Sequence, residues 1–345
     1  MIQSIDKNAV IIGGGVAGLK AAATLSRMGI GVTLFERQEK NGGHLARWHK
    51  LFPAIQDAET VLKPLLSAIN TKNIVVQNNS AVKGFRRKGS QWEVVTDAGS
   101  TVADAVLLAT GFDLFDARLK EEYGYGIYPA VITSEELEQV FSRKADFPFD
   151  TSKENLKIGM VHCVGSRDAK CGNTYCSKVC CITAVKQAIE LRKMFPRSTV
   201  YCFYMDVRMF GTGYEELYHE AQTAYNIQFV RGRLSEASPA HDDTVQVKAE
   251  DTLLGLQLKA SLDMLVLMVG MTPAHKLVMN GDDIQLVSPA FGDVFYQPLD
   301  GFMNANVLNA DGVFVAGASK GPASIPDVLQ DAQAAAIEVY NYLKR

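Results

Sequence analysis

The chain has 345 residues, 47% of them hydrophobic and 21% charged, with a formal net charge of −3. That length admits two domains of ordinary size, and the composition is that of a soluble globular protein. The charge balance excludes a global basic surface for nucleic acid, and no apolar stretch reaches the roughly 20 residues needed to span a bilayer. The polar start, Met1 to Asn8, runs straight into a strand, so no signal peptide is expected. The expected compartment is the cytoplasm, where thiols stay reduced.

Ala9-Val10-Ile11-Ile12 is a short apolar run typical of a buried parallel strand. It enters Gly13-Gly14-Gly15-Val16-Ala17-Gly18, a G-x-G-x-x-G turn, then a helix through about Met28 and a second strand, Val32 to Phe35, ending at Glu36. Strand, glycines, helix and terminal acid together form a dinucleotide fingerprint. The glycines allow close backbone approach, the helix N-terminus faces a pyrophosphate, and the acid binds ribose hydroxyls. The Glu36 carboxylate would repel the 2′-phosphate of NADP, which leaves FAD or NAD. Gly42-Gly43-His44 adds flexible backbone for a cofactor's phosphates or ribityl chain, while His44 and His49 read as polar supporting groups rather than catalysts.

Short strands are expected at Ile74-Val75-Val76, Trp92 to Val95 and Val106 to Leu108, the last leading to Ala109-Thr110-Gly111. Arg86-Arg87-Lys88 reads as a solvated turn. A strand meander ending in A-T-G resembles the first domain of the glutathione and thioredoxin reductase class, where this backbone lies beside FAD. Tyr123 to Pro129 is a turn-rich crossover, and Thr133 with Glu136 predicts a capping box for a helix over about 134–142. The next strand, Lys157 to His162, should carry a nicotinamide glycine turn if the second domain followed that class; only Gly165 follows it, before Ser166, Arg167 and Asp168.

In place of that turn stands C-V-G-S-R-D-A-K-C-G-N-T-Y-C-S-K-V-C-C, residues 163–181, with five of the chain's six cysteines. Thiols this dense point to metal ligation or redox chemistry. Cys163, Cys176, Cys180 and Cys181 form C-x12-C-x3-C-C; Cys171 and Cys202 look like spares. A helix starting at Cys176 would put Cys180 one turn along the same face and Cys181 about 100° round it. Four convergent thiolates suit an iron-sulfur cluster or Zn, but Zn sites favour paired C-x2-4-C knuckles, which adjacent cysteines fit poorly. A redox-active disulfide and unliganded core thiols stay open as further readings, although no C-x-x-C pair occurs.

Beyond the cysteines, the pattern predicts a continuing helix through Ile182, Val185 and Ile189, a strand over 199–205, a helix over 213–225, a strand at 227–230 and a hairpin within 244–260. Buried strands should follow at Met264 to Val269 and Gly312 to Gly317. The last helix, from about Ile325 to Leu343, begins where its N-terminal dipole would favour an anionic reduced flavin.

The chain resembles the HdrA family, the A-type subunits of heterodisulfide reductases. The matching stretches are G-G-G-V-A-G-L, Y-G-Y-G-I-Y-P-A-V-I-T-S, C-V-G-S-R through Y-C-S-K-V-C-C, Y-M-D-V-R-M-F-G-T-G-Y-E-E and A-G-A-S-K-G-P-A-S-I-P-D. The resemblance implies an α/β, thioredoxin-reductase-like flavoprotein with two Rossmann-type dinucleotide-binding domains. Residues 1–122 plus 285–345 would bind FAD, and residues 123–284 would form a degenerate pyridine-nucleotide-type domain carrying a [4Fe-4S] cluster. By that similarity Cys163, Cys176, Cys180 and Cys181 are the cluster ligands. Gly13, Gly15, Ala17, Gly18, Glu36, Arg37, Gly43, His44, Val82, Ala109, Thr110, Gly111, Gly317, Ala318 and Ile325 would lie along FAD. Lys186 is read either as a flavin neighbour or as a solvated helix lysine.

Two departures from related proteins stand out. The sequence has no C-x2-C-x2-C runs of the kind that add ferredoxin-like domains to the large methanogen subunits, so onward electron transfer falls to partner subunits. Ordinary flavoprotein reductases end the last cofactor strand with Gly-Asp, whereas Gly317 is followed here by Ala318. The ferredoxin-free form is similar to the HdrA-like member of the sulfur-oxidising heterodisulfide reductase-like complex, and also to its counterpart in the quinone-interacting membrane-bound oxidoreductase of sulfate reducers. The resemblance therefore implies a homodimeric electron-transfer subunit. A self-contained NAD(P)H-dependent disulfide reductase and a non-enzymatic assembly platform are the competing readings.

Overall fold

The computed structural model describes residues 7–240 and 242–345; the signal-peptide expectation for the first six residues lies outside them. Among the described residues the α-helices are α1 (Val16–Arg27), α2 (Glu59–Ala68), α3 (Ser134–Phe141), α4 (Cys180–Met194), α5 (Tyr214–Thr223) and α6 (Ile325–Leu343). The chain divides into two compact units. One holds the chain up to Ala46, Glu59–Asp113 and Thr272–Arg345; the other holds Arg47–Ala58 and Leu114–Met271.

In the first unit a parallel sheet runs in the order Val313–Val315, Ala105–Leu108, Asn8–Ile12, Gly31–Phe35, Ile74–Gln77. Side chains alternate across it. Val10, Ile12, Val106 and Leu108 face a cluster with Phe85, Trp92, Val94 and Ile284 of an antiparallel sheet. Helices α1 and α6 pack against each other. The small residues Ala21, Ala22, Ala332, Ala335 and Ala336 on these helices are wholly buried.

The antiparallel sheet explains where the first unit resumes. Lys276–Asn280 and Asp283–Val287 form a hairpin whose second strand pairs with Val82–Lys88. The seams accordingly fall at 113/114 and 271/272, not at the 122/123 and 284/285 read from sequence, and residues 47–58 go with the second unit. Arg86-Arg87-Lys88 is the end of a strand rather than a turn: Arg87 lies over the Trp92 ring at 4.4 Å and pairs with Asp311 at 2.8 Å.

The second unit repeats the theme with a parallel sheet ordered Val131–Thr133, Met264–Val269, Lys157–Val164, Thr199–Tyr204, Gln228–Arg231. One face, with Ile158, Met160, Val200, Cys202 and Val266, packs on α3, α4 and α5. The opposite face, with Val161, Phe203, Leu265 and Leu267, packs on Val245, Val247 and Ala249. These last three belong to an antiparallel sheet of Leu234–Pro239, Val245–Asp251 and Leu256–Leu262, one strand more than the hairpin read from sequence.

Helix α3 carries the expected capping box, with the Thr133 hydroxyl accepting from the Glu136 amide and the Glu136 carboxylate accepting from the Thr133 amide. Such a cap stabilises a helix by about 1 kcal/mol. Ser324 and Asp327 cap α6 in the same way, and Pro326 sits in its first turn, where no amide hydrogen is needed.

Candidate functional site

The glycine turn of the first unit is shaped by close approach. Gly13 has φ +110, and a Cβ there would stand 2.3 Å from the Ala109 carbonyl oxygen. A Cβ on Gly18 would meet the Gly13 carbonyl oxygen at 1.9 Å, so strand and helix require glycine at both positions. Gly15 differs: a Cβ would meet nothing within 4 Å. Gly15 also caps α1 without a side-chain hydrogen bond, and no acid lies in the first turn. Unpaired amides at a helix start that opens onto free space are what an anion such as a pyrophosphate uses.

A cleft of about 430 Å³ in this unit is lined by Gly13, Glu36, Arg37, Val82 and Thr110, with Ile12, Phe35, Ser80, Ala81, His275 and Leu286. Glu36 is buried, its two carboxylate oxygens accepting from the Gly14 and Gln38 amides at 2.8 Å each. The turn and the acid are thus fixed to one another before any ligand arrives. Arg37 reaches Asp113 at 3.2 Å. Ala109 is held by its amide on the Ile12 carbonyl, and Gly111 has φ +71 with open space where a Cβ would project.

The remaining residues flank this cradle. Gly43, at φ +56, brings its Cβ position within 3.2 Å of the Gly15 Cα. His44 stacks on Phe112 at 4.2 Å, and its Nε2 is 2.9 Å from the Phe112 carbonyl oxygen. Gly317, at φ +71, packs where a Cβ would meet the Ala17 Cβ at 2.7 Å, followed by buried Ala318; Ile325 opens α6. With alanine at 318, the carboxylate near this turn comes from α6: Asp331 accepts from the Gly317 amide at 2.6 Å and from Asn306 at 3.1 Å.

Sequence reasoning missed Asp331, Ser80 and His275. His275 is half-buried, and burial, then the Arg37 charge, lower its basicity. None of the three sits in a motif; each reaches the site from a segment whose pairing is long-range.

In the second unit, Lys157–Val164 leads into the cysteine segment, and its end is distorted. Val161 pairs with Leu267 but Val164 with Val269, so this strand holds one extra residue there. Cys163 has φ +59, uncommon for a residue with a side chain. By simple alternation Cys163 would follow Val161 to the face packed on Val245 and Val247. The bulge turns it back, and it joins Met160, Cys180, Cys181 and Cys202 on the helix-bearing face.

Cys163, Cys180 and Cys181 are all buried, with the Cys163 and Cys180 sulfurs 3.7 Å apart. Cys176 is not on the helix, contrary to expectation. Helix α4 starts at Cys180, and the chain before it passes through Lys178 at φ +60, which a helix does not allow. The partly buried Cys176 thiol accepts from the Lys178 amide at 3.3 Å. The intervening loop is held firmly: Asn173 donates to the Gly165 carbonyl, the Met271 amide to Ser177 Oγ, and the Tyr175 hydroxyl to the Met271 carbonyl.

The thiols are electrostatically unequal. A hydrogen bond from Cys180 holds Cys163 below the ordinary thiol value and Cys181 well below it, while Cys180 itself is pushed up. Val179 gives α4 no side-chain cap, so Cys180 and Cys181 also sit on a bare helix N-terminus, which favours thiolate. Around them are buried polar atoms with no hydrogen-bond partner among the described residues: both His162 ring nitrogens, Ser166 Oγ and Arg167 Nη1. Buried donors are rarely left so. Their gathering beside thiolates fits an anionic, sulfur-rich group. Among the described residues no three or more of His, Cys, Asp and Glu converge as ligands for a single metal ion.

Lys186 is not the solvated lysine of the alternative reading. It is 1% exposed, its ammonium paired with Glu138, within 3.2 Å of Glu190 and donating to the Lys50 carbonyl at 3.1 Å. His49 Nδ1 contacts Glu190 at 2.9 Å, and its amide donates to Glu138.

Two Rossmann-type sheets, a glycine turn and its acid define a class. The sequence pattern of the pyridine nucleotide-disulphide oxidoreductases matches residues 7–336, and the chain belongs to that family of oxidoreductases. It is similar to the A-type iron-sulfur subunit of the CoB–CoM heterodisulfide reductase of Methanocaldococcus jannaschii, 30% identical over 98% of this chain and 64% of that protein. It is likewise similar to a protein of the same description from Methanopyrus kandleri, 32% identical over 96% of this chain and 64% of that protein. The resemblance carried by the motifs thus extends over nearly the whole chain, which spans about 64% of the length of these relatives. The fold is that of thioredoxin reductases. The Lactococcus lactis enzyme superposes with a TM-score of 0.64 at 18% identity over 98% of this chain and 99% of its own, and the T. acidophilum enzyme with 0.63 at 16% over 97% and 99%. No helix among the described residues is long and apolar enough to cross a membrane.

Proposed function

We propose that the chain is an FAD- and [4Fe-4S]-containing electron-transfer subunit of a heterodisulfide reductase-like complex, acting in the cytoplasm as a homodimer in sulfur-compound oxidation. The observation that carries this reading is the second βα turn. Where a nicotinamide-binding domain would place a glycine turn, the Lys157–Val164 strand bulges into Cys163 and the helix opens on Cys180 and Cys181.

FAD when bound supplies two-electron chemistry, and a cluster supplies one-electron transfer but not hydride transfer. For the flavin, the α1 amides offer the pyrophosphate site and Glu36 the ribose site. The backbones of Ala109 to Gly111 and of Gly317 would hold the ring system, with Asp331 fixing the latter. Lys186, its charge balanced by Glu138 and Glu190, is the neighbour proposed for the flavin from the second unit. For the cluster, Cys163, Cys176, Cys180 and Cys181 are the ligands. The thiols already below their ordinary values bind without a large deprotonation cost. Electrons leave to partner subunits; the names of the relatives, as subunits of a reductase, support such an assembly.

The 3.7 Å approach of the Cys163 and Cys180 sulfurs favours a second reading, a dithiol-disulfide centre in a self-contained NAD(P)H-dependent reductase. Anaerobic titration separates the two. The first reading predicts that NADH and NADPH leave the flavin absorbance unchanged while dithionite bleaches both flavin and cluster bands. Stoichiometric flavin bleaching by either nucleotide, with two thiols appearing per chain, would establish the second.

A further inference from the structure

We infer that His162 donates an N–H hydrogen bond to the sulfur of Cys181 when the proposed cluster is bound and thereby sets the cluster's reduction potential. It rests on that cluster assignment and assigns a role to a residue that ligates nothing. His162 is 7% exposed, yet neither ring nitrogen has a hydrogen-bond partner among the described residues. An imidazole buried with both nitrogens unpaired is costly, and in a native protein such an atom implies a partner.

The sheet register says where that partner lies. Met160 pairs with Cys202, so the alternation that puts Met160 and Cys202 on the helix-bearing face puts His162 there as well. The bulge then adds Cys163 to the same face, out of alternation. His162 lies beside the tilted Tyr204 ring, 6.5 Å away, on the face that carries α4. Its neighbours there are the sulfurs of Cys181 and Cys202, both in the cluster on this face. Of these two, only Cys181 stands at the bare N-terminus of α4, beside Cys180. Lys120, Asp168 and Arg233 line a small cavity together with His162, Cys163 and Tyr204, and Lys120 and Asp168 pair with each other there at 2.9 Å.

A hydrogen bond to a ligand sulfur stabilises the more negative, reduced state and raises the potential; partners of this kind tune metal sites without touching the metal. The test is a redox titration of the anaerobically purified protein, followed by electron paramagnetic resonance, in wild type, His162→Leu and His162→Gln. Iron and sulfide are counted in each. The expected result is unchanged iron, a midpoint potential shifted to more negative values in His162→Leu, and a potential returned toward wild type in His162→Gln, whose amide keeps a donor. Equal potentials in all three, or a shift in His162→Gln as large as in His162→Leu, would overturn the inference while leaving the cluster in place. Should His162→Leu lose iron, wild-type protein labelled with 15N-histidine decides: a weakly coupled imidazole nitrogen on the reduced cluster supports the bond, and its absence overturns it. Wild type devoid of iron would remove both the cluster and this role.

Discussion

Cys163 and Cys180 bring their sulfurs to 3.7 Å although 17 positions separate them in sequence. Neither residue would reach the other from regular structure alone. A strand without its extra residue would aim Cys163 at the opposite face of the sheet, and a helix begun at Cys176 would carry Cys180 a full turn along. The left-handed conformations of Cys163 and Lys178 are the local strain that makes the encounter, and strain of this kind gathers at functional sites.

The glycine turn separates packing from binding. Gly15→Ala should fold with unchanged stability, since its Cβ enters open space, but should weaken flavin binding by about 1.4 kcal/mol or more, tenfold in Kd. Gly18→Ala forces a Cβ onto the Gly13 carbonyl oxygen and should lower stability as well. Flavin content and urea midpoints of the two variants check this; a Gly15→Ala variant with wild-type flavin affinity would remove the turn from the cofactor site.

The buried cation of the second unit is a stability element. Lys186→Met leaves Glu138 and Glu190 buried beside a missing charge and should cost roughly 3–5 kcal/mol, the usual effect of breaking a buried pair. Adding Glu138→Gln removes one orphaned carboxylate and should restore part of the loss. Urea unfolding of the single and double variants measures both.

Acid should loosen the cysteine loop. Burial alone would raise the Asp168 carboxyl, but hydrogen bonds from Lys120 and the Lys170 amide outweigh it and hold the group below its ordinary value. A depressed folded value contributes stability that is complete above the unfolded carboxylate range, about 3.9. It is lost as the pH falls through the folded value. Asp168→Asn should therefore be less stable than wild type at neutral pH, with the difference shrinking below about pH 4. Urea midpoints as a function of pH give the comparison, and a gap independent of pH would deny the carboxylate this part.

The first unit was legible because its signals are local. The run from Ala9 to Glu36 carries strand, turn, helix and acid in one stretch; in the second unit the capping box of α3 was legible for the same reason, lying within four residues. What escaped depends on partners far along the chain. Lys186 reads as a surface lysine until Glu138, 48 positions back, and Lys50, 136 back, are placed around it. Likewise the start of α4 is set by Lys178, which nothing in the Tyr175-Cys-Ser-Lys-Val179 composition marks as left-handed. Asp331 took over the Gly317 amide from a helix that the missing Asp at position 318 gave no reason to inspect.

Iron, acid-labile sulfide and flavin should be counted per chain after anaerobic purification of wild type, Cys180→Ser and Cys171→Ser. Wild type and Cys171→Ser should carry about four iron, four sulfide and one FAD, with iron lost and flavin kept in Cys180→Ser. One FAD with no iron or sulfide in the wild-type protein would contradict the cluster assignment.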